Sequence, residues 1–131
     1  MIEFSNISKT FKIKDREVHA VCDVNLTIEQ GDIFGIIGFS GAGKSTLLRL
    51  VNLLEKPSTG TVKIQGTDLA SLAPKDLRQL RRRIGMIFQN FNLMTSRTVA
   101  GNIAYPLKLA GTPKAEIERR TAELLKFVGL S

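Results

Sequence analysis

The chain predicts an α/β fold in which an N-terminal antiparallel β layer leads into a parallel α/β core. Three observations carry that prediction. Residues Ile33–Ile37 form an apolar run that enters Gly38 as a buried strand does. A glycine-rich loop, G-F-S-G-A-G-K-S, follows at once and ends at Ser45. Leu47, Leu48, Leu50, Val51, Leu53 and Leu54 then give the apolar density of a largely buried helix.

Taken in order, Ile2–Lys14 and Val18–Ile28 are expected as strands joined by the charged turn Lys14-Asp15-Arg16-Glu17. In the second, Val24, Leu26 and Ile28 alternate with Asp23, Asn25 and Thr27, the period of a strand with one wet face. Glu29-Gln30-Gly31-Asp32 turns the chain into the Ile33 run. The helix after the loop ends before Pro57, because a residue preceding proline resists the α conformation. Thr61–Gln65 alternates as a further strand, with Val62 and Ile64 on one face. Leu77, Leu80 and Ile84 then space an amphipathic helix whose other face carries arginines.

Ile84–Phe88 is a second apolar run, expected as a parallel neighbour of the Ile33 strand, with Gln89 at its end. In the loop after it, Phe91, Leu93 and Met94 are either tucked inward or part of a docking surface. Val99–Leu109 is predicted helical, bent or interrupted at Pro106. The final helix takes Thr112 as N-cap, Pro113 at its first position and Gly129 at its C-terminal cap. One face of that helix carries Ile117, Thr121, Leu124, Leu125 and Val128.

The loop has the spacing of a phosphate-binding loop. A phosphate chain must approach the backbone more closely than a Cβ allows, so Gly41 and Gly43 leave room and permit positive φ. Successive N–H groups converge on phosphate oxygens at the positive end of the helix dipole. Lys44 reaches the β- and γ-phosphates as a mobile point charge, Ser45 offers a hard oxygen to Mg²⁺, and Thr46 can add a hydroxyl contact. A glycine turn that merely caps a helix is the alternative, and the strand-loop-helix order argues against it.

The 131 residues suffice for one domain with a real core. No membrane-spanning run or signal-peptide profile is present, so a cytoplasmic location is expected. Cys22 stands alone, which excludes a disulfide framework or thiolate metal site and suits a small buried side chain. His19, also alone, reads as an exposed strand position. Much of the net charge of +7 sits in Lys75–Arg83 and in Arg119–Arg120. Nucleic acid or an anionic membrane face could attract it, but no aromatics interleave with these charges; a solvated helix face is the favoured reading, with no nucleic-acid partner.

MIEFSNISKTF, GFSGAGKST, STGTVKIQG and RRRIGMIFQNFNL together resemble the ATP-binding subunit of an ABC transporter. VNLLEKPSTG and SRTVAGNIAYPLKLAG are more narrowly similar to the subunits that power methionine import. The resemblance implies a P-loop NTPase core of the RecA-like type, ending within its helical subdomain. It implies ATP and Mg²⁺ as ligands, with Gly38, Phe39, Ser40, Gly41, Ala42, Gly43, Lys44, Ser45 and Thr46 as the phosphate loop. Phe11 takes the place of an adenine-stacking aromatic, and Gln89 that of a glutamine contacting Mg²⁺ and the attacking water. Lys44 and Gln89 are then the catalytic residues, with Ser45 and Gln89 at the metal.

Further implications are a second copy of the subunit as partner and membrane permease subunits docking on Phe91–Arg97. A solute-binding protein would be an indirect partner, and the chain itself would sit peripherally at the cytoplasmic face of the membrane. In the family a signature loop, a Walker B strand and a switch histidine follow. The chain has no apolar run ending in Asp-Glu, so residues 1–131 are expected as a partial nucleotide-binding domain, weak in hydrolysis by itself. A non-catalytic nucleotide-binding or interaction module, or an ATPase for another amino acid, is the competing reading.

Overall fold

The N-terminal alternation builds the sheet it predicts. In the computed structural model, which describes residues 1–130, β1 (Ile2–Ile13) pairs antiparallel with β2 (Arg16–Ile28). Its other edge pairs antiparallel with β3 (Thr59–Ile64), and a two-residue β4 (Thr67–Asp68) completes the order β2-β1-β3-β4. Val24, Leu26 and Ile28 are half-buried while Asp23, Asn25 and Thr27 are exposed, as their alternation requires.

The period of two breaks at one level across the sheet. Phe4 and Ile7 are both buried although three residues apart, because the β1–β2 register shifts between them. Asn6, at φ 51°, supplies the extra residue and returns Ile7 to the core. On β2, Asp23 sits at φ 45° between buried Val21 and half-buried Val24. Asn and Asp tolerate this left-handed region better than other non-glycine residues. Side chains satisfy the displaced backbone: Asn6 N donates to Asn25 Oδ1 (2.7 Å), and Asp23 N donates to Ser8 Oγ (2.9 Å).

The chain divides into two units, residues 1–84 and the residues from Gly85 onward. In the first, Phe4, Ile7, Val21 and Val62 from the sheet meet Leu50 at the end of the loop helix, Leu53 just beyond it, and Leu69. Each such side chain contributes roughly 1.5–3 kcal/mol when fully buried. The helix itself, α1 (Lys44–Leu50), is shorter than expected, because the chain leaves it and takes φ 52° at Leu53. Helix α2 (Pro74–Arg81) turns Leu77 and Leu80 toward this core. Arg81 of the basic run is structural: its guanidinium donates to Asn52 O (2.9 Å) and Leu53 O (2.6 Å). Arg78, Arg82 and Arg83 are solvated.

Three expectations are corrected. Residues 33–37 are not a strand, and Ile33 and Ile37 are almost fully exposed at 103% and 95%. Residues 84–88 are not a strand either, with Ile87 97% exposed. A strand exists only through hydrogen bonds to a neighbour, and neither run has one among the described residues. Cys22 is exposed rather than buried.

In the second unit, α3 (Val99–Leu109) runs through Pro106 without interruption. Thr98 caps it, its Oγ1 accepting from Gly101 N at 3.0 Å. Helix α4 (Lys114–Phe127) starts one residue later than expected: Pro113 is the N-cap, and no side chain caps the helix there. Gly129 closes the other end at φ 73°, with its N–H on Lys126 O and that of Leu130 on Leu125 O. Ala104, Ile117 and Thr121 are buried, whereas Leu124 and Val128 are exposed.

On the outer face of α4, Arg119 donates to both Glu116 oxygens (2.7 and 2.9 Å) and Arg120 donates to one (2.9 Å). These guanidiniums, Arg119 foremost, hold the Glu116 carboxyl well below its ordinary 4.5, at about 2. The folded helix favours the carboxylate, so the stabilisation is complete above the ordinary value and is lost as pH falls through about 2. Carboxyl NMR of the full-length protein is expected to place the Glu116 midpoint there. The Arg119→Ala, Arg120→Ala double variant returns it toward 4.5. A parent midpoint already at 4.5 contradicts the pairing.

Candidate functional site

The loop that joins residues 33–37 to α1 owes its shape to glycine. Gly41 and Gly43 lie at φ 80° and 84°, where a Cβ is strained, and Gly43 is the N-cap of α1. The space around them differs. A Cβ on Gly41 meets nothing within 4 Å, but one on Gly43 falls 2.0 Å from Ala20 O of β2. Gly43 is therefore needed for contact with the sheet as well as for its dihedral angles. That requirement is non-local and invisible in the motif.

Lys44 arches back over the loop. Its ammonium donates to Gly38 O (2.8 Å) and Phe39 O (2.7 Å), so the charge is fixed by two neutral acceptors. The first turn of α1 holds no acidic residue, which leaves the positive end of its dipole uncompensated. A cavity of about 220 Å³ lies between residues 41–46 and Val18, His19 and Ala20 of β2. Ser45 is exposed there and Thr46 half-buried. Phe39 and Ser40 are exposed on the loop crest. The loop thus gathers glycines, a lysine and two hydroxyl residues around one space, residue types that suit a polyanion.

Phe11 is half-buried on β1, directly opposite Val18, which lines that cavity. The strand register thus sets an aromatic ring one strand away from the phosphate loop. His19 lines the cavity as well. It is exposed, as its sequence implies, and its Nδ1 lies 3.0 Å from Thr10 Oγ1. Lys9 places its ammonium 4.7 Å from the Phe11 ring centroid, a contact that only the i, i+2 spacing of the strand could have signalled.

Gln89 belongs to the second unit, on an exposed turn. The loop after it displays Phe91 and Leu93, 82% and 66% exposed, while Met94 is half-buried. Asn102 of α3 anchors this loop: its Oδ1 accepts from Met94 N (2.8 Å), and its Nδ2 donates to Met94 O (3.1 Å) and Thr98 O (3.0 Å). The sequence gives no hint of that anchor. Among the described residues, no group of three or more His, Cys, Asp or Glu could hold a metal ion, and no helix is long and apolar enough to cross a membrane.

Comparison with known proteins gives a consistent answer. A family model described as ABC transporter matches residues 21–131. The chain is 70% identical over 131 residues to the methionine import ATP-binding protein MetN 3 of Oceanobacillus iheyensis, covering 100% of this chain. It is 66% identical over 130 residues to MetN 1 of Bacillus thuringiensis subsp. konkukian, covering 99% of this chain. It spans 38% of the length of each of these relatives. Among solved structures, the ATP-binding cassette MJ0796, dimeric, post-hydrolysis and bound to ADP and Pi, superposes with a TM-score of 0.90 at 35% identity. That match takes in 100% of this chain and 58% of the solved one.

Proposed function

The chain belongs to the ABC transporter family and shares the fold of its ATP-binding cassettes, and on that premise we propose that it is the ATP-binding part of an importer ATPase. The whole protein couples ATP hydrolysis to uptake of an amino acid, methionine by its 70% identity to a methionine import protein. The observation that carries the reading is the loop itself. The Lys44 ammonium is held by the Gly38 and Phe39 carbonyl oxygens, and the same residue lines the cavity formed by residues 41–46 and β2.

In this reading the N–H groups of residues 41–46 bind the phosphate oxygens, and Lys44 exchanges its two carbonyls for the β- and γ-phosphates. Phe11 stacks on adenine through its ring face. The Ser45 hydroxyl, a hard oxygen beside the phosphate loop, would hold Mg²⁺, and Gln89 is proposed as a further ligand on the family pattern alone. When bound, the cation neutralises the charge that builds on the transferring phosphoryl group. Gln89 also orients the attacking water through its amide.

Partners follow from the exposed surface of the second unit. Phe91 and Leu93 are displayed on a loop that Asn102 fixes, which suits docking of a membrane permease subunit. A second copy of the subunit completes the assembly, as in the dimeric cassette with which the chain superposes. The protein then sits peripherally at the cytoplasmic face of the membrane, with a solute-binding protein reached through the permease.

Calorimetric titration of the full-length protein tests the site. ATP binds at micromolar to submillimolar concentration, more tightly with Mg²⁺, and inorganic tripolyphosphate competes with it. Absence of ATP binding at millimolar concentration rejects the proposal.

A further inference from the structure

We propose that Lys9 is a positioning residue for the nucleotide base, holding the Phe11 ring from behind so that its other face is presented to the purine. The inference rests on the base-stacking role just given to Phe11. Lys9 and Phe11 lie two apart on β1 and so share a face of the sheet. The Lys9 ammonium lies 4.7 Å over the ring centroid, within the range of a cation–π contact. It is not a loose surface charge: its side chain is 15% exposed, Glu55 pairs with it at 3.2 Å, and Lys56 O accepts from it at 2.9 Å.

Those anchors belong to the segment that follows α1, the helix begun by the phosphate loop. Two further bonds fasten the same segment to β1: Thr10 N donates to Ser58 Oγ (3.0 Å), and Ser58 N donates to Ser8 O (2.8 Å). The ring that meets the base is thereby tied to the element that meets the phosphates. A fixed ring loses less freedom on binding than a mobile one, and the saving appears as affinity for ligands that carry a base. A cation drawing π density to one face also suits the opposite face to a π-rich purine. Lys9 thus acts on recognition of the base and leaves the phosphate contacts alone.

The test compares ATP with inorganic tripolyphosphate on the full-length protein. Lys9→Met keeps the length of the side chain and removes its charge. It is expected to weaken ATP binding by about three- to tenfold while leaving tripolyphosphate within about twofold. Lys9→Arg restores ATP affinity, and Lys9→Met adds no further loss in a Phe11→Ala background. Unchanged ATP affinity overturns the proposal. So does an equal loss for both ligands, which marks a purely structural lysine, or an undiminished effect without the Phe11 ring. Failure of the underlying reading looks different: the parent then binds neither ligand, or Phe11→Ala alone leaves ATP affinity intact.

Discussion

Lys44→Ala is expected to cut ATP affinity of the full-length protein by at least about a hundredfold while leaving the fold intact. Charge-assisted hydrogen bonds to phosphate contribute about 1.5–3 kcal/mol each, and Lys44 is placed to make more than one. The loss exceeds those bonds. In the free protein the ammonium neutralises Gly38 O and Phe39 O at 2.8 and 2.7 Å. Without it, two carbonyl dipoles remain on the loop with their negative ends unmatched, near where a polyanion must settle. Lys44→Arg is not a neutral control, since a planar guanidinium cannot replace a compact, mobile point charge. Titration calorimetry checks the affinity and circular dichroism the fold. An ATP affinity within threefold of the parent removes Lys44 from the site.

Features whose cause is local were legible in the residues. The alternation of Val24, Leu26 and Ile28 located β2, and the helix over Val99–Leu109 kept its expected bounds. The loop glycines announced their positive φ, and the family could be recognised from short stretches of text. What could not be read depends on distant partners. The apolar run at residues 33–37 states a demand for cover, but hydrophobicity alone does not supply the neighbouring strand that would pair with it. Asn6 and Asp23 looked like polar positions in regular strands, yet they bend the sheet together, because their bulges must match across the ladder. Lys9 and Arg81 were lost in a general excess of positive charge. Each is bound to backbone carbonyls 28 or more residues away, a relation no window of sequence displays.

The phosphate-loop glycines separate these two kinds of information experimentally. Gly41→Ala and Gly43→Ala each force alanine to φ near +80°, at a cost of roughly 1–2 kcal/mol. Gly41 faces open space, so its cost stops there. At Gly43 the new methyl falls 2.0 Å from Ala20 O and 3.1 Å from Ala20 C, backbone atoms that cannot rotate away. Ala20 adjoins Val21, which is 7% exposed in the core, so relief of the collision displaces a packed strand or unwinds the first turn of α1. Gly43→Ala is therefore expected to destabilise the first unit by about 3–5 kcal/mol, clearly more than Gly41→Ala, in urea unfolding of the full-length protein. Saturating ATP narrows the gap only if the loop can still close around phosphate. Equal destabilisation by the two substitutions shows that the loop and β2 separate freely. In that case Gly43 serves its dihedral angles alone, and the packing role assigned to it here is wrong.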